Sequence, residues 1–142
     1  MDKYDCLKLD NQLCFPLYVC SKEIVRKYKP FLDELDITYT QYITLMALWD
    51  KGALSVKELG KQLYLDSGTL TPLLKTLEAK GYVTRTRAKD DERNLIVSLT
   101  DEGLALREKA LAIPAKMGAC LKIDPADAAD LYRILHTLMA AI

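Results

Sequence analysis

Between Ser55 and Thr100 the spacing of apolar residues switches from helical to alternating, and the residues at each switch fix where elements begin and end. Ser55-Val56-Lys57-Glu58 is a capping box: the serine hydroxyl accepts from the Glu58 amide while the Glu58 carboxylate reaches back. The short helix it opens carries Val56, Leu59 and Leu63 on one face. After Tyr64-Leu65-Asp66 a second helix follows, with Leu70, Leu73, Leu74 and Leu77 at helical spacing. Pro72 constrains its start, because proline is tolerated in a first turn and costly in a helix interior. The helix is therefore predicted to begin close to Asp66–Thr69, with Ser67, Gly68, Thr69 and Thr71 crowding its N-terminal end. Gly81 supplies a left-handed cap after Lys80.

Tyr82-Val83-Thr84-Arg85-Thr86-Arg87 then alternates apolar and polar like a strand, and Leu95-Ile96-Val97-Ser98-Leu99 is a second strand rich in branched residues. The polar stretch from Ala88 to Asn94 has the length of a hairpin loop. Arg85, Arg87, Lys89 and Arg93 put positive charge on one protruding element, suited to phosphates or a minor groove. Asp90, Asp91 and Glu92 offset much of that charge, so the hairpin alone reads equally well as a solvated surface. The helix pair that precedes the hairpin decides the matter: the layout is a winged helix-turn-helix that binds DNA. Ser67, Thr69, Thr71 and Lys75 are its candidate contacts on the reading helix, where small hydroxyls approach phosphates and base edges.

The expected architecture is mainly α with a small β wing. Residues 39–103 form the DNA-binding region of a single 142-residue unit, and residues 1–38 and 104–142 are dimerisation helices. Thr100 caps a helix bearing Leu104, Leu106, Leu111 and Ile113, which Pro114 breaks or bends. Asp124-Pro125 opens a last helix on which Leu131, Leu135, Leu138 and Ile142 form an amphipathic seam. One chain has no partner for that seam, so a two-fold homodimer is expected, facing a near-palindromic duplex. His136, on the same helix, reads as an interface residue.

With 20 basic and 20 acidic residues the formal charge is zero, so affinity for nucleic acid must come from local clustering and fall with salt. The N-terminus is charged and no apolar run reaches bilayer length, which predicts a cytoplasmic chain away from membranes. No cofactor or metal is expected. The four cysteines, Cys6, Cys14, Cys20 and Cys120, form no C-x-x-C pair, and standing disulfides are not expected in a reducing compartment. Cys6 and Cys20 read as buried, inert thiols. Cys14 falls in the first turn of a helix capped by Asp10 or Asn11 and running toward Lys29, where unpaired amides favour a thiolate. Flanked by Leu13 and Phe15, it reads also as a core residue.

Four segments carry a family resemblance: Asn11-Gln12-Leu13-Cys14-Phe15, Tyr28-Lys29-Pro30, residues 37–42 (Ile-Thr-Tyr-Thr-Gln-Tyr) and residues 63–75, which include Asp66-Ser67-Gly68-Thr69. Together they resemble the MarR family, and more narrowly its organic-hydroperoxide-sensing OhrR branch. Asp91-Glu92-Arg93 is similar to the wing of the wider family, and Leu99-Thr100-Asp101-Glu102-Gly103 to the start of its long C-terminal helix.

The resemblance implies a redox-sensing repressor rather than an enzyme. Cys14 is then the peroxidatic sensor, with Tyr28 and Tyr39 as the phenols that hydrogen-bond its sulfur and Tyr18 lining the same pocket. Phe15 and nearby leucines imply an organic hydroperoxide as oxidant. Cys120 stands where the family's resolving thiol stands, which implies a disulfide from Cys14 to Cys120 of the partner subunit; Cys6 and Cys20 are rival resolvers. Arg93 would enter the minor groove. Thr76 departs from the family, which often has an arginine there. From the residues alone, the tyrosines equally fill an interface and Cys120 equally packs beside Leu121 and Ile123. Two other functions stay open: a repressor released by a small aromatic effector, and a thiol peroxidase.

Overall fold

The computed structural model describes residues 2–90 and 94–142. Two short 3-10 turns, Asp5–Leu7 and Leu9–Asn11, precede α1 (Cys14–Asp33) and α2 (Tyr39–Lys51). Then come β1 (Ala53–Ser55), α3 (Val56–Leu63), α4 (Ser67–Ala79), β2 (Val83–Arg87) and β3 (Leu95–Leu99). The chain closes with α5 (Asp101–Ala110), α6 (Ile113–Cys120) and α7 (Pro125–Ala140). The strands form an antiparallel sheet in the order β1-β3-β2, with Arg85 opposite Val97 and Leu54 also opposite Val97 on the other side.

The helix-turn-helix folds as its punctuation dictates. Ser55 and Glu58 make the reciprocal capping box at 3.0 and 3.1 Å. Asp66 caps α4 by accepting from the Thr69 amide, and hydrogen bonds from the Thr69 side chain and amide hold its carboxyl below the ordinary range. Gly81 takes φ +83° after Lys80, and the Tyr82 amide returns to the Leu77 carbonyl at 3.0 Å. Leu59, Leu70, Leu74, Leu77, Val83 and Val97 are essentially sealed from water with Leu45 and Leu48 of α2. The core thus lies under α3, α4 and the sheet.

Four expectations need correction. Asn11 does not cap α1: its side chain donates to the Asp5 carbonyl at 2.8 Å, and neither it nor Asp10 reaches the helix, which starts at Cys14 without a side-chain cap. The helix also continues through Pro30 to Asp33, bracketed by a Lys29–Asp33 ion pair at 2.9 Å. Pro72 lies in the second turn of α4, not its first, because the Asp66 cap fixes the start at Ser67. Finally, Cys6 and Cys20 are exposed within the chain, as are Cys14 and Cys120, so packing in the core of one subunit explains none of the thiols. The third strand, β1, was too short to show a period of its own.

At the ends, α7 buries no residue, and Leu131, Leu138 and Ile142 are open to solvent. The break before α6 falls where expected, with Pro114 as its second residue. Among the described residues no helix is long and apolar enough to cross a membrane.

Candidate DNA-reading surface and cysteine site

The outer face of α4 follows from its inner one. Leucines 70, 73, 74 and 77 take one side, which leaves Ser67, Thr71 and Lys75 four apart on a line along the solvent side. Ser67, Thr69 and Lys75 are exposed and Thr71 is half-buried. Thr76 is turned back: its hydroxyl donates to the Pro72 carbonyl one turn earlier at 3.1 Å. Beside the start of α4 lies a cleft of about 760 Å³ lined by Val56, Lys57, Lys61, Leu65, Ser67 and Asn94. Lys57 and Lys61 were not anticipated; their spacing of four on the polar side of α3 was the available signal.

On the wing, the period of a strand separates the arginines' roles. Val83 and Arg85 share a face, and that face packs onto α4. Arg85 accordingly keeps only 19% of its side chain exposed, with Nη2 at 3.1 Å from the Glu78 carboxylate. Its guanidinium holds Glu78 below the ordinary carboxylate range. Arg87 is exposed near the end of β2. Arg93, with Asp91 and Glu92, lies outside the described residues.

Cys14 is the first residue of α1 and exposed. Tyr18 follows one turn later, with the Lys22 ammonium 5.3 Å from its ring centre. Tyr28 lies fourteen residues beyond Cys14 on the same unbroken helix, about 21 Å away at 1.5 Å per residue. Within one chain Cys14 and the phenol expected to serve it do not meet.

Tyr28 and Tyr39 do meet, with ring centres 5.0 Å apart. Tyr42 joins them at 5.8 and 6.4 Å, and Trp49 stands edge-on to Tyr42 at 6.5 Å. The indole then donates to the Gly103 carbonyl at 2.9 Å, so an aromatic row leads from the paired phenols to the first turn of α5. Burial pushes the Tyr28, Tyr39 and Tyr42 phenols above the ordinary tyrosine range, and Tyr39 adds to the effect at Tyr28. At neutral pH they are donors. A pocket of about 250 Å³ opens beside them, lined by Val25, Lys29, Leu32, Ile37, Thr38 and Tyr39.

Cys120 closes α6 and is exposed; no cysteine is bridged. His136 stacks on Tyr132 at 3.8 Å and meets that residue's carbonyl through Nδ1 at 2.9 Å, contacts within its own helix.

The family model for the transcriptional regulator SarA/Rot matches residues 26–109. The organic hydroperoxide resistance transcriptional regulator of Bacillus subtilis is 48% identical over 141 residues, 99% of this chain and 96% of that protein. The chain belongs to the MarR-type winged-helix regulators, in the OhrR branch. As a member of that family it is a DNA-binding transcriptional regulator. Among solved structures, reduced AbfR bound to DNA superposes with a TM-score of 0.84 at 34% identity, covering 99% of this chain and 96% of that one. AbfR is a protein of Staphylococcus epidermidis. Its disulfide form superposes at 0.66 with 37% identity and 96% coverage of both chains, so this structure is nearer the reduced, DNA-bound form.

Proposed function

We propose that this OhrR-type regulator is a homodimeric repressor that holds a near-palindromic operator when reduced and releases it when organic hydroperoxide oxidises Cys14. The observation that carries the reading is the separation along α1. A single unbroken helix keeps Cys14 about 21 Å from Tyr28, while Tyr28 and Tyr39 sit together beside an open pocket. The pocket therefore takes its sulfur from a second copy, and the uncovered face of α7 supports the same association.

In that arrangement two neutral phenols donate to the Cys14 sulfur and stabilise it as a thiolate. The thiolate attacks the terminal peroxide oxygen, an S–O bond forms, the O–O bond breaks, and the alkoxide takes a proton to leave as alcohol. The resulting sulfenic acid is attacked by the thiolate of Cys120 of the partner subunit; the S–S bond forms, the S–O bond breaks, and the hydroxide takes a proton from solvent to leave as water. Bridging requires the two α-carbons to come within about 7 Å, which displaces helices at the interface and alters the spacing of the two reading heads. Both heads must fit at once, so a shift of that kind weakens the grip steeply.

On DNA, Ser67, Thr69, Thr71 and Lys75 contact phosphates or bases, Lys57 and Lys61 add charge beside them, and Arg87 and Arg93 serve the wing. Arg85 acts through the wing's placement rather than by touching DNA, since Glu78 already holds it.

The test is fluorescence anisotropy of a labelled promoter fragment with cumene hydroperoxide, read beside a non-reducing gel. Wild type is expected to release DNA and run as a crosslinked dimer. Cys14→Ser should do neither, and Cys120→Ser should lose the crosslink. Retention of DNA by wild type after disulfide formation is demonstrated would overturn the reading. Peroxide-driven release that persists in Cys14→Ser would move the sensor elsewhere.

A further inference from the structure

Tyr64 closes α3 in a left-handed conformation, φ 55° and ψ 39°. Its amide and that of Leu65 both return to the Gly60 carbonyl, the latter at 3.1 Å, and it is this tight turn that dictates the backbone. The turn does not dictate the residue. Glycine and asparagine take this conformation at least cost, and a bulky side chain is strained there. Core packing offers no compensation, because Tyr64 is 60% exposed. A strained, solvent-facing aromatic calls for a contact outside the chain.

Its position says which contact. Only Leu65 and Asp66 separate it from Ser67, the first residue of α4, so its α-carbon lies within about 11 Å of the reading helix's N-terminus. Helix-turn-helix proteins bring that N-terminus into the major groove, with the preceding turn beside the sugar-phosphate backbone. A phenol suits such a boundary: its ring covers deoxyribose carbons and its hydroxyl donates to a phosphate oxygen.

We propose that Tyr64 is a DNA-backbone contact, its hydroxyl donating to a phosphate at the edge of the groove that α4 enters. The inference rests on the DNA-binding assignment and adds a residue to it. As a neutral donor, Tyr64 raises affinity without releasing counterions and without reading sequence.

Reduced full-length protein is titrated against a mixed-sequence duplex of about 30 base pairs across a salt series, where binding is sequence-independent. Tyr64→Phe is expected to bind about threefold or more weakly at every salt concentration with an unchanged salt slope and unchanged melting temperature. Tyr64→Gly, freed of the strained backbone, is expected to melt no lower than wild type and yet bind more weakly still. Should Tyr64→Gly misfold, Tyr64→Phe decides alone. Wild-type affinity in Tyr64→Phe overturns the proposal, as does a loss that appears only as a lower melting temperature. If wild type itself binds no duplex, it is the DNA-binding assignment that fails.

Discussion

Glu78 holds Arg85 twice: one carboxylate oxygen lies 3.1 Å from the guanidinium Nη2, and the other accepts from the Arg85 amide at 3.0 Å. The recognition helix and the wing are thereby joined through one side chain near the last turn of α4. The Nε of the same guanidinium is buried with no partner among the described residues, so the pair specifies orientation more than it adds stability. Glu78→Gln should weaken DNA binding through loss of the wing's contribution. A hydroxyl-radical footprint checks this: protection at the flanking minor grooves should fade while the central major-groove protection persists.

The same pair carries a pH signature. Hydrogen bonds from Arg85 lower the Glu78 pKa, so its contribution is fully present above the ordinary glutamate value and is lost as pH falls through the lowered one. Thermal unfolding followed from about pH 6 to pH 3 should show a steeper acid loss for wild type than for Glu78→Gln. Parallel curves would remove the linkage.

Gly103 has no room for a side chain, because a β-carbon there would collide with the Tyr82 carbonyl, a backbone atom that cannot swing aside. Gly103→Ala should therefore cost about 1–3 kcal/mol or more, as overpacking does. Urea unfolding monitored by Trp49, the single tryptophan, gives the number directly. Trp49→Phe, which puts a smaller ring in place of the indole and deletes the 2.9 Å bond to the Gly103 carbonyl, should cost about 1 kcal/mol or more by circular dichroism, the lost hydrogen bond plus lost packing.

If Cys14 is served by phenols from another copy, defects in the two parts should complement. Homodimers of Cys14→Ser and of the Tyr28→Phe, Tyr39→Phe double variant should each respond poorly to peroxide. A mixed dimer regains one whole site, pairing the intact cysteine of one chain with the intact tyrosines of the other. Its Cys14 should oxidise about tenfold faster than in the double-variant homodimer, the scale of a hydrogen bond to a charged sulfur. Stopped-flow oxidation of purified mixed dimers measures this, and equal rates would place the phenols outside the site.

Much of the reading head was legible in the chain because its signals are local. The Ser55–Glu58 box, the Asp66 cap, the Gly81 turn and the strand Leu95–Leu99 each depend on residues within a few positions of one another. Arg85 was legible too, had the strand's period been applied: sharing a face with buried Val83 puts it inward. What escaped depends on distant chain. The strand β1 exists only through its pairing with β3, and the first cap of α1 was lost because Asn11 is engaged by the preceding turn. The proposed cysteine site was named from residue types, and the helix drawn from Cys14 toward Lys29 already held Tyr28 one long rod away. What the chain alone did not show is that Tyr28 packs against Tyr39 of α2 at the far end of that rod, the contact on which the proposal of a site shared between two copies rests.

That shared rod has a biological corollary. Under the proposed function, a solitary subunit would carry both the detector and its activating groups yet stay deaf, because one unbroken helix holds them at its opposite ends. The pairing that lets two heads span an operator would then be the same pairing that completes the detector. Every molecule able to notice the oxidant would be one already equipped to occupy a promoter.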